Sequence, residues 1–250
     1  MKRYHHLISL MAFVLLSACS TTKSIPEGDQ LFTGLSGIKY DAPEKGEHFI
    51  TTQEEIEAAL ATAPNGALFG SSKVRSPFLF GLWIWNEYVG TEDGFGKWML
   101  NSFGSKPVLM SWVNPKLRAS VAKEVLRAHG YLRGSVDHEV ITQRNPKKAK
   151  IKYKVNMGHL FTVDSLSYLS FQENADSLID STMTEALIKK GDAFDVSTLE
   201  GERMRINRLL RNNGFYYYQP SYASYLADTI SVPGKVLLKF QQADTIPEMA

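Results

Sequence analysis

The feature that most constrains the fold of this 250-residue chain is an internal repeat. At an offset of 84 residues, segment 125–127 falls on 209–211, and segment 129–131 falls on 213–215. Each copy has the end of an apolar helix, then a glycine, then an aromatic residue. Because these features recur in the same order, they indicate a duplicated structural unit.

Each of these glycines is followed by two segments with strand character. In the first copy they are 135–142 and 149–155, and in the second they are 216–226 and 235–240. The closing strands also match, since Lys-Ile-Lys-Tyr-Lys-Val aligns with Lys-Val-Leu-Leu-Lys-Phe at an offset of 85.

A strand and a further helix precede the matched helix in both copies. Copy one has a short strand at 37–41 and a helix that ends before Gly66; copy two has a strand at 161–169 and a helix at 177–190. The resulting order, strand-helix-helix-strand-strand, predicts an α+β fold with two tandem units.

Capping signals locate the helix that carries the first match. Asn114 is a favourable N-cap, and Pro115 suits the first helical position. Leu117, Val121 and Val125 then recur every fourth residue and are flanked by Ala122 and Leu126, which predicts the buried stripe of this helix.

Two capping boxes, 52–55 and 197–200, predict the starts of two other helices. Gly130 and Gly214 follow the matched helices, and we expect both to be helix stops with positive φ.

The N-terminus has the pattern of an export signal. Lys2 and Arg3 precede an apolar run at 7–16 that is too short to span a membrane. Leu16-Ser17-Ala18-Cys19 resembles the lipobox of bacterial lipoproteins, which implies that residues 1–18 are removed and that Cys19 is lipidated. The polar segment 19–30 then predicts a lipidated tether, and by the same resemblance the absence of Asp at position 20 favours the outer membrane.

Composition excludes several classes of function. The 28 Lys and Arg residues against 26 Asp and Glu give a net charge of +2, which comes wholly from Lys2 and Arg3 of the signal segment. The rest of the chain has no basic excess, which argues against a nucleic-acid partner. A single Cys excludes intrachain disulfides and zinc sites built on several thiolates. The chain contains no nucleotide-binding, hydrolase or metalloprotease motif, so we expect no cofactor, no metal and no catalytic residues.

The repeated unit resembles the POTRA (polypeptide-transport-associated) domain of outer-membrane assembly proteins of the BamA and TamA type. The residues that carry the resemblance are best seen in copy two, at 158–163, 191–194 and 205–215. Together with the lipobox, they resemble the TamA-like lipoproteins (TamL) of Bacteroidetes. The resemblance implies POTRA-like units at 31–156 and 157–242, followed at 243–250 by a tail or by the start of a missing downstream region.

The resemblance also implies a function. It predicts an outer-membrane, periplasm-facing binding scaffold in protein translocation and assembly, with unfolded outer-membrane proteins as clients and a periplasm-spanning TamB-like protein as a partner. Members of that family carry a C-terminal membrane β-barrel. Since the sequence has no such strands before Ala250, we expect a fragment or a truncated gene product. The alternative from another functional class is an exported lipoprotein enzyme, such as a hydrolase of envelope polymers.

An aromatic insertion separates the two helices of copy one. It covers residues 67–112 and contains Trp83, Trp85, Trp98 and Trp112. We expect these rings to enlarge the core of copy one, because large aromatic residues are usually well buried. The alternative is a docking surface for lipid headgroups or for an unfolded client.

The resemblance places the second strand of each unit at a sheet edge, where an extended peptide can pair with it. In copy two this segment contains Pro220, which blunts an edge, whereas 135–142 has no proline. We therefore predict client binding along Val136, His138 and Val140.

Overall fold

The computed structural model describes residues 21–43 and 45–244. Cys19 and the signal segment lie outside the described residues. The described chain divides into two compact units, each assembled from separate stretches. Unit 1 contains 21–39, 57–121 and 136–155, and unit 2 contains 40–43, 45–56, 122–135 and 156–244.

The first sheet has three strands in the order β1-β3-β2. They are β1 (Leu31–Asp41), β2 (Ser135–Thr142) and β3 (Lys148–Asn156). Along β3, alternate residues are buried, as expected for a strand with one face on a core. These inward residues are Ala149, Ile151, Tyr153 and Val155.

The second sheet repeats this order as β4-β6-β5. Its strands are β4 (Thr162–Leu169), β5 (Ala223–Asp228) and β6 (Lys235–Gln242). β4 pairs with β6 in parallel, and β5 pairs with β6 antiparallel. Val236, Leu238 and Phe240 of the central strand are buried, which places the core of unit 2 against β6.

Seven α-helices accompany the sheets in the described chain. They are α1 (Glu47–Leu60), α2 (Phe80–Tyr88), α3 (Gly94–Phe103), α4 (Met110–Val113), α5 (Pro115–Ala128), α6 (Glu173–Ser181) and α7 (Val196–Asn212). Short 3₁₀ turns occupy Met183–Glu185 and Pro220–Tyr222. The predicted α+β class with two strand-helix-helix-strand-strand units is confirmed. Within residues 21–43 and 45–244, no helix is both long and apolar enough to cross a membrane.

The two matched helices end in the same way. Gly130 has φ +83° and Gly214 has φ +105°. The next residue in each copy donates its N–H to a carbonyl five residues back, from Tyr131 to Leu126 at 2.9 Å and from Phe215 to Leu210 at 3.1 Å. This hydrogen bond is the signature of a Schellman cap, and the predicted glycine stops are confirmed.

The buried face of α5 differs from the predicted one. Leu117 and Val121 of the predicted stripe are exposed. The residues predicted to flank the stripe, Ala122 and Leu126, are buried together with Ala119. The reason is that the Arg118 side chain is held by three backbone carbonyls, which fixes the rotation of the helix. These acceptors are the carbonyls of Ala59, Ala61 and Val113. The N-cap prediction is confirmed, since Asn114 Oδ1 accepts from the N–H of Leu117 at 3.2 Å.

Both predicted capping boxes are wrong. Helix α1 already begins at Glu47, so Thr52 is interior and donates to the carbonyl of His48 at 2.8 Å. Helix α7 is capped by Asp195, whose carboxylate accepts from the N–H groups of Ser197 and Thr198. The Asp195 carboxylate thus satisfies free N–H groups of the first turn, and its negative charge is favourable at the N-terminus of a helix.

Two predicted elements of copy two are shorter than expected. The helix predicted at 177–190 instead covers Glu173–Ser181. It ends there because the Thr182 hydroxyl donates to carbonyls of the last helical turn. The strand predicted at 216–226 begins only at Ala223, because Pro220 opens a 3₁₀ turn and cannot donate to a sheet.

The segment predicted as a tether packs against unit 1 over its described part. Ile25 is only 4% exposed and belongs to a cluster with Leu31, Leu82 and Leu109. The N–H of Ser24 also donates to Asn86 Oδ1 at 2.8 Å. The stretch was predicted to be a tether because it is polar, but its apolar residue Ile25 packs in the core of unit 1.

Candidate functional site

The outer edge of β1 is covered by other parts of unit 1. Phe32 donates its N–H to the carbonyl of Val108, and Leu35 donates to the carbonyl of Ser72, both at 2.8 Å. Nearby, Met110 donates to the carbonyl of Gln30 at 2.8 Å. Over residues 30–35, this edge is therefore not available for an incoming peptide.

The outer edge of β4 is covered near the start of the strand. Val163 donates its N–H to the carbonyl of Asp192 at 2.8 Å, and Gly191 donates to the carbonyl of Val163 at 2.7 Å. Thr162 also forms an isolated bridge with Ala193. The segment before α7 thus protects this part of the sheet.

The outer edges of β2 and β5 carry no such cover. Among the described residues, no main-chain group of 135–142 or 223–228 bonds to backbone other than its own sheet partner. Unpaired N–H and C=O groups on an edge are a template for another strand. Both second strands lie at the edge, and each sheet keeps one open side.

The two open edges differ in length and in the chain segment that precedes each strand. β2 has eight residues and no proline, and it forms a hairpin with β3. β5 has six residues and directly follows the turn that Pro220 begins. The longer edge offers more consecutive main-chain groups, so β2 is the better candidate for pairing with an extended segment.

The predicted edge residues lie in β2. His138 and Val140 are exposed, and Val136 is half-buried. They share one face of the strand, because successive side chains point to opposite sides. The other face carries two exposed acids, Asp137 and Glu139. A bound chain would find apolar contact on one face and acidic side chains on the other.

A cluster of ionisable groups in unit 2 was not predicted from the sequence. His129 Nδ1 lies 2.7 Å from Asp195 Oδ2, and His129 Nε2 lies 2.9 Å from Glu55 Oε2. His48 Nε2 donates to the backbone carbonyl of His129 at 2.8 Å. The partners are up to 81 residues apart in sequence, so no local spacing reveals them.

The environment of His129 favours its charged form. Burial by itself lowers the pKa of His129, but hydrogen bonds and charge from Glu55 and Asp195 outweigh burial and raise it above 6.5. Burial would raise the pKa of Asp195, yet hydrogen bonds from Ser197 and His129 lower it below its usual value. The His129 ring therefore lies between two carboxylates that favour its protonated form.

This cluster has the chemistry of an ion-pair network. Possible ligand atoms of His48, His129 and Asp195 lie within 4.8 Å of one another. However, both ring nitrogens of His129 already bind carboxylates, so neither is free to coordinate a metal. The geometry supports a role in joining α1, the end of α5 and the start of α7.

A second polar network lies in the core of unit 2. Glu202 is fully buried and accepts hydrogen bonds from Tyr168 at 2.5 Å and from the N–H of Leu187 at 2.9 Å. Arg205 donates to both of its oxygens, at 2.9 and 2.6 Å. Burial would raise the pKa of Glu202, but these donors lower it. Both carboxylate oxygens of Glu202 therefore have hydrogen-bond donors, and the residue has a structural role.

The aromatic insertion does not form the core expected from the sequence. Trp98 and Trp112 are exposed, at 54% and 62%, and Trp83 and Trp85 are half-buried. Helix α3, which carries Trp98, has no buried residue at all. Its main packing partner among the described elements is α2, so its aromatic side chains have no core to enter.

The chain matches no protein-family model and no curated protein. Similar solved structures include BamA from Haemophilus ducreyi lacking POTRA domains 1–3, with 14% identity, a TM-score of 0.43 and 85% of this chain covered. They also include BamA POTRA domains 3–5 from Haemophilus influenzae, with 12% identity, a TM-score of 0.34 and 88% of this chain covered. The chain spans 29% of the first structure and 100% of the second.

A third similar structure is the N-terminal domain of Omp85 from Thermosynechococcus elongatus. It has 14% identity and a TM-score of 0.29, and the match covers 84% of this chain and 67% of that chain.

Proposed function

We propose that this chain is a POTRA-type scaffold that faces the periplasm and serves outer-membrane protein assembly. It is lipid-anchored through Cys19 and holds extended client segments by main-chain pairing along β2. The observation that carries this proposal is the proline-free edge of β2, which is open over all eight residues, whereas the chain itself covers the first part of the β1 edge and of the β4 edge.

Main-chain pairing suits a scaffold that must hold many different clients. Hydrogen bonds from an edge strand to a peptide backbone provide affinity without demanding a particular sequence. The binding is weak, because the peptide loses conformational freedom when it becomes a strand. Weak binding is also what transfer of a client to the next assembly step requires.

The natural clients are unfolded outer-membrane proteins, whose strands alternate apolar and polar residues. The alternation of Val136, His138 and Val140 with acidic neighbours on β2 fits such a pattern. A TamB-like protein that spans the periplasm is the partner we propose from the sequence resemblance. The pairing needs no cofactor and no chemical step.

Peptide titration by NMR on residues 20–250 tests the pairing. A peptide with alternating apolar and polar residues should shift the amide signals of 135–142 and leave the central strand β3 unchanged. Successive N–H groups of a strand point to opposite sides, so one of Glu139→Pro and Val140→Pro removes an outward donor and weakens binding. Val140→Thr keeps the donor and should bind normally. If amide shifts concentrate at 67–112 and both folded proline variants bind as well as wild type, edge pairing is wrong.

The lipid anchor has its own test. Cys19→Ala removes the thiol that would receive the lipid, so labelling with an alkyne fatty acid should be lost and the protein should move to the soluble envelope fraction. Labelling of the Cys19→Ala chain at the wild-type level would show that the modification lies elsewhere.

A further inference from the structure

A continuous row of aromatic rings lies on the surface of the insertion in unit 1. Phe95 and Trp98 have ring centroids 5.6 Å apart, Trp98 and Phe103 are 5.8 Å apart, and Phe103 and Phe80 are 6.5 Å apart. Phe80 is in turn 5.8 Å from Trp83. We call these five residues the ring row. It joins α2 to α3 along a single surface.

Four of the five ring-row residues are exposed, and Trp83 is half-buried. Phe95 is 67% exposed, Phe80 is 55% exposed and Phe103 is 51% exposed. Monomeric soluble proteins rarely leave contiguous apolar surface of this kind uncovered unless it binds something. Aromatic rings in particular favour the interface between a membrane and water.

A cleft of about 560 Å³ opens at one end of the ring row and shares Phe80 and Trp83 with it. Pro77, Phe78 and Leu79 extend its apolar wall, and Arg75 and Lys148 also line it. The cleft is therefore apolar along most of its wall, with two cations in the same lining.

The two cations of the cleft have no anionic partner in the described chain. Arg75 Nη1 is buried without a hydrogen-bond partner, and neither Arg75 nor Lys148 forms an ion pair. Burial and then the charge of Arg75 lower the pKa of Lys148. Arg75 and Lys148 thus line the cleft without an acidic partner, and Arg75 also has a buried N–H without a hydrogen-bond acceptor. The pair is complementary to an anionic group of a bound molecule.

The start of the described chain lies at this cleft. Thr21 lines it, and Cys19 of the lipobox is only two residues earlier. Two residues of extended chain reach roughly 7 Å. A lipid on Cys19 would therefore hold this side of unit 1 at the bilayer surface.

We propose that the ring row and the cleft form a membrane-docking surface for a bilayer with anionic phospholipids. The rings enter the interfacial region, and a lipid phosphate binds between Arg75 and Lys148. The surface acts together with the lipid anchor, since one acyl-type anchor and a second contact hold a protein on a membrane more firmly than either alone. It is separate from the client edge on β2.

Quenching of tryptophan fluorescence by acyl-chain-brominated phospholipids tests the docking. The full chain is incorporated into vesicles both as wild type and as Cys19→Ser, so that the readout does not depend on the lipid anchor alone. Brominated lipid should quench the emission of both forms. Trp98→Phe should remove roughly half or more of the quenching, because ring-row residues lie at membrane depth. Trp85→Phe, the matched control outside the ring row, should remove little.

Lipid charge provides the second arm. Vesicles with phosphatidylglycerol should increase quenching relative to phosphatidylcholine alone, and the combined variant Arg75→Gln, Lys148→Gln should abolish the increase. The matched control Arg144→Gln, Lys147→Gln removes the same charge from the exposed β2–β3 turn and should keep it.

Three results would overturn the proposal. They are the absence of quenching by brominated lipid, equal loss of quenching in the Trp85 and Trp98 variants, and equal quenching with and without phosphatidylglycerol. A Trp98 emission that responds to an unfolded outer-membrane-protein peptide but not to brominated lipid would assign the ring row to client binding instead.

Discussion

The two repeats place opposite charges at the same inward position of their matched helices. At the offset of 84 residues, Arg118 of α5 corresponds to Glu202 of α7. Arg118 donates to the carbonyls of Ala59 and Ala61 at 3.2 and 2.9 Å, around the end of α1. Glu202 instead accepts from the N–H of Leu187, which lies beyond α6.

This difference shows that the duplicated unit preserves the backbone plan but not the way in which polar groups are satisfied. A helix end leaves carbonyls without partners, and a guanidinium can bind several of them. In copy two, the chain between α6 and α7 presents an N–H instead, and a carboxylate binds it. The charge at this position therefore matches the backbone groups that it binds: a cation for carbonyls in copy one, and an anion for an N–H in copy two.

The largest expected effect is at Glu202. Glu202→Gln removes the charge that pairs with the half-buried Arg205, and breaking such a buried pair should lower the free energy of unfolding by about 3 to 5 kcal/mol. Arg118→Gln loses hydrogen bonds near the surface and should lower it by about 1 to 3 kcal/mol. Urea unfolding of both variants measures the difference. Equal losses would show that the two positions have the same energetic role.

The second comparison is between the two helix-stop glycines. Both have positive φ, so alanine at either position should cost about 1 to 2 kcal/mol in backbone strain. At Gly130 an added Cβ would also lie 2.5 Å from the carbonyl oxygen of Phe194, whereas at Gly214 it would meet no atom within 4 Å. Gly130→Ala should therefore cost about 1 to 3 kcal/mol more than Gly214→Ala. Thermal unfolding of the two variants tests this, and a larger loss for Gly214→Ala would contradict it.

The smallest expected effect is a pH dependence carried by His129, whose counterpart in copy two is Asn213. The pKa of His129 is raised in the folded state. The contribution of His129 to stability is therefore complete below pH 6.5 and is lost as the pH rises through the folded pKa. His129→Asn installs the residue of the other copy and should flatten the fall in stability between about pH 6 and about pH 9.

Urea midpoints at both pH values measure this effect in wild type and variant. Asp195, whose pKa is lowered, has the opposite pH dependence. Its contribution to stability is present above pH 3.8 and is lost as the pH falls through its folded pKa. If His129→Asn retains the wild-type fall at alkaline pH, another group is responsible.

Local sequence signals predicted the fold well where the backbone itself determines the structure. Gly130 and Gly214 end helices because only glycine adopts positive φ without strain. Strand β2 has the predicted bounds, because its alternating residues are followed by a turn signal. Where a side chain competes with the backbone, as Thr182 does at the end of α6, the predicted helix was too long.

The parts of the site that depend on distant contacts were not predictable from one sequence. His129, Glu55 and Asp195 meet because three helices converge, and no spacing along the chain encodes that. The ring row was expected in a core, because the residues are aromatic. It is exposed because α3 packs mainly on α2 and buries no residue. The edge position of β2 followed from the family resemblance, and the sheet order shows it directly.

The central claim is that the open edge of β2 holds unfolded outer-membrane proteins. Site-specific photo-crosslinking in living cells tests it most directly, with a photoreactive residue at Val140 of β2, at Ser224 of β5 or at Lys154 of the central strand β3. All three side chains are exposed, so they differ mainly in the strand that carries them. The account predicts abundant adducts with outer-membrane proteins from position 140, fewer from 224 and essentially none from 154. Equal adducts from all three positions, or none from position 140, would contradict it.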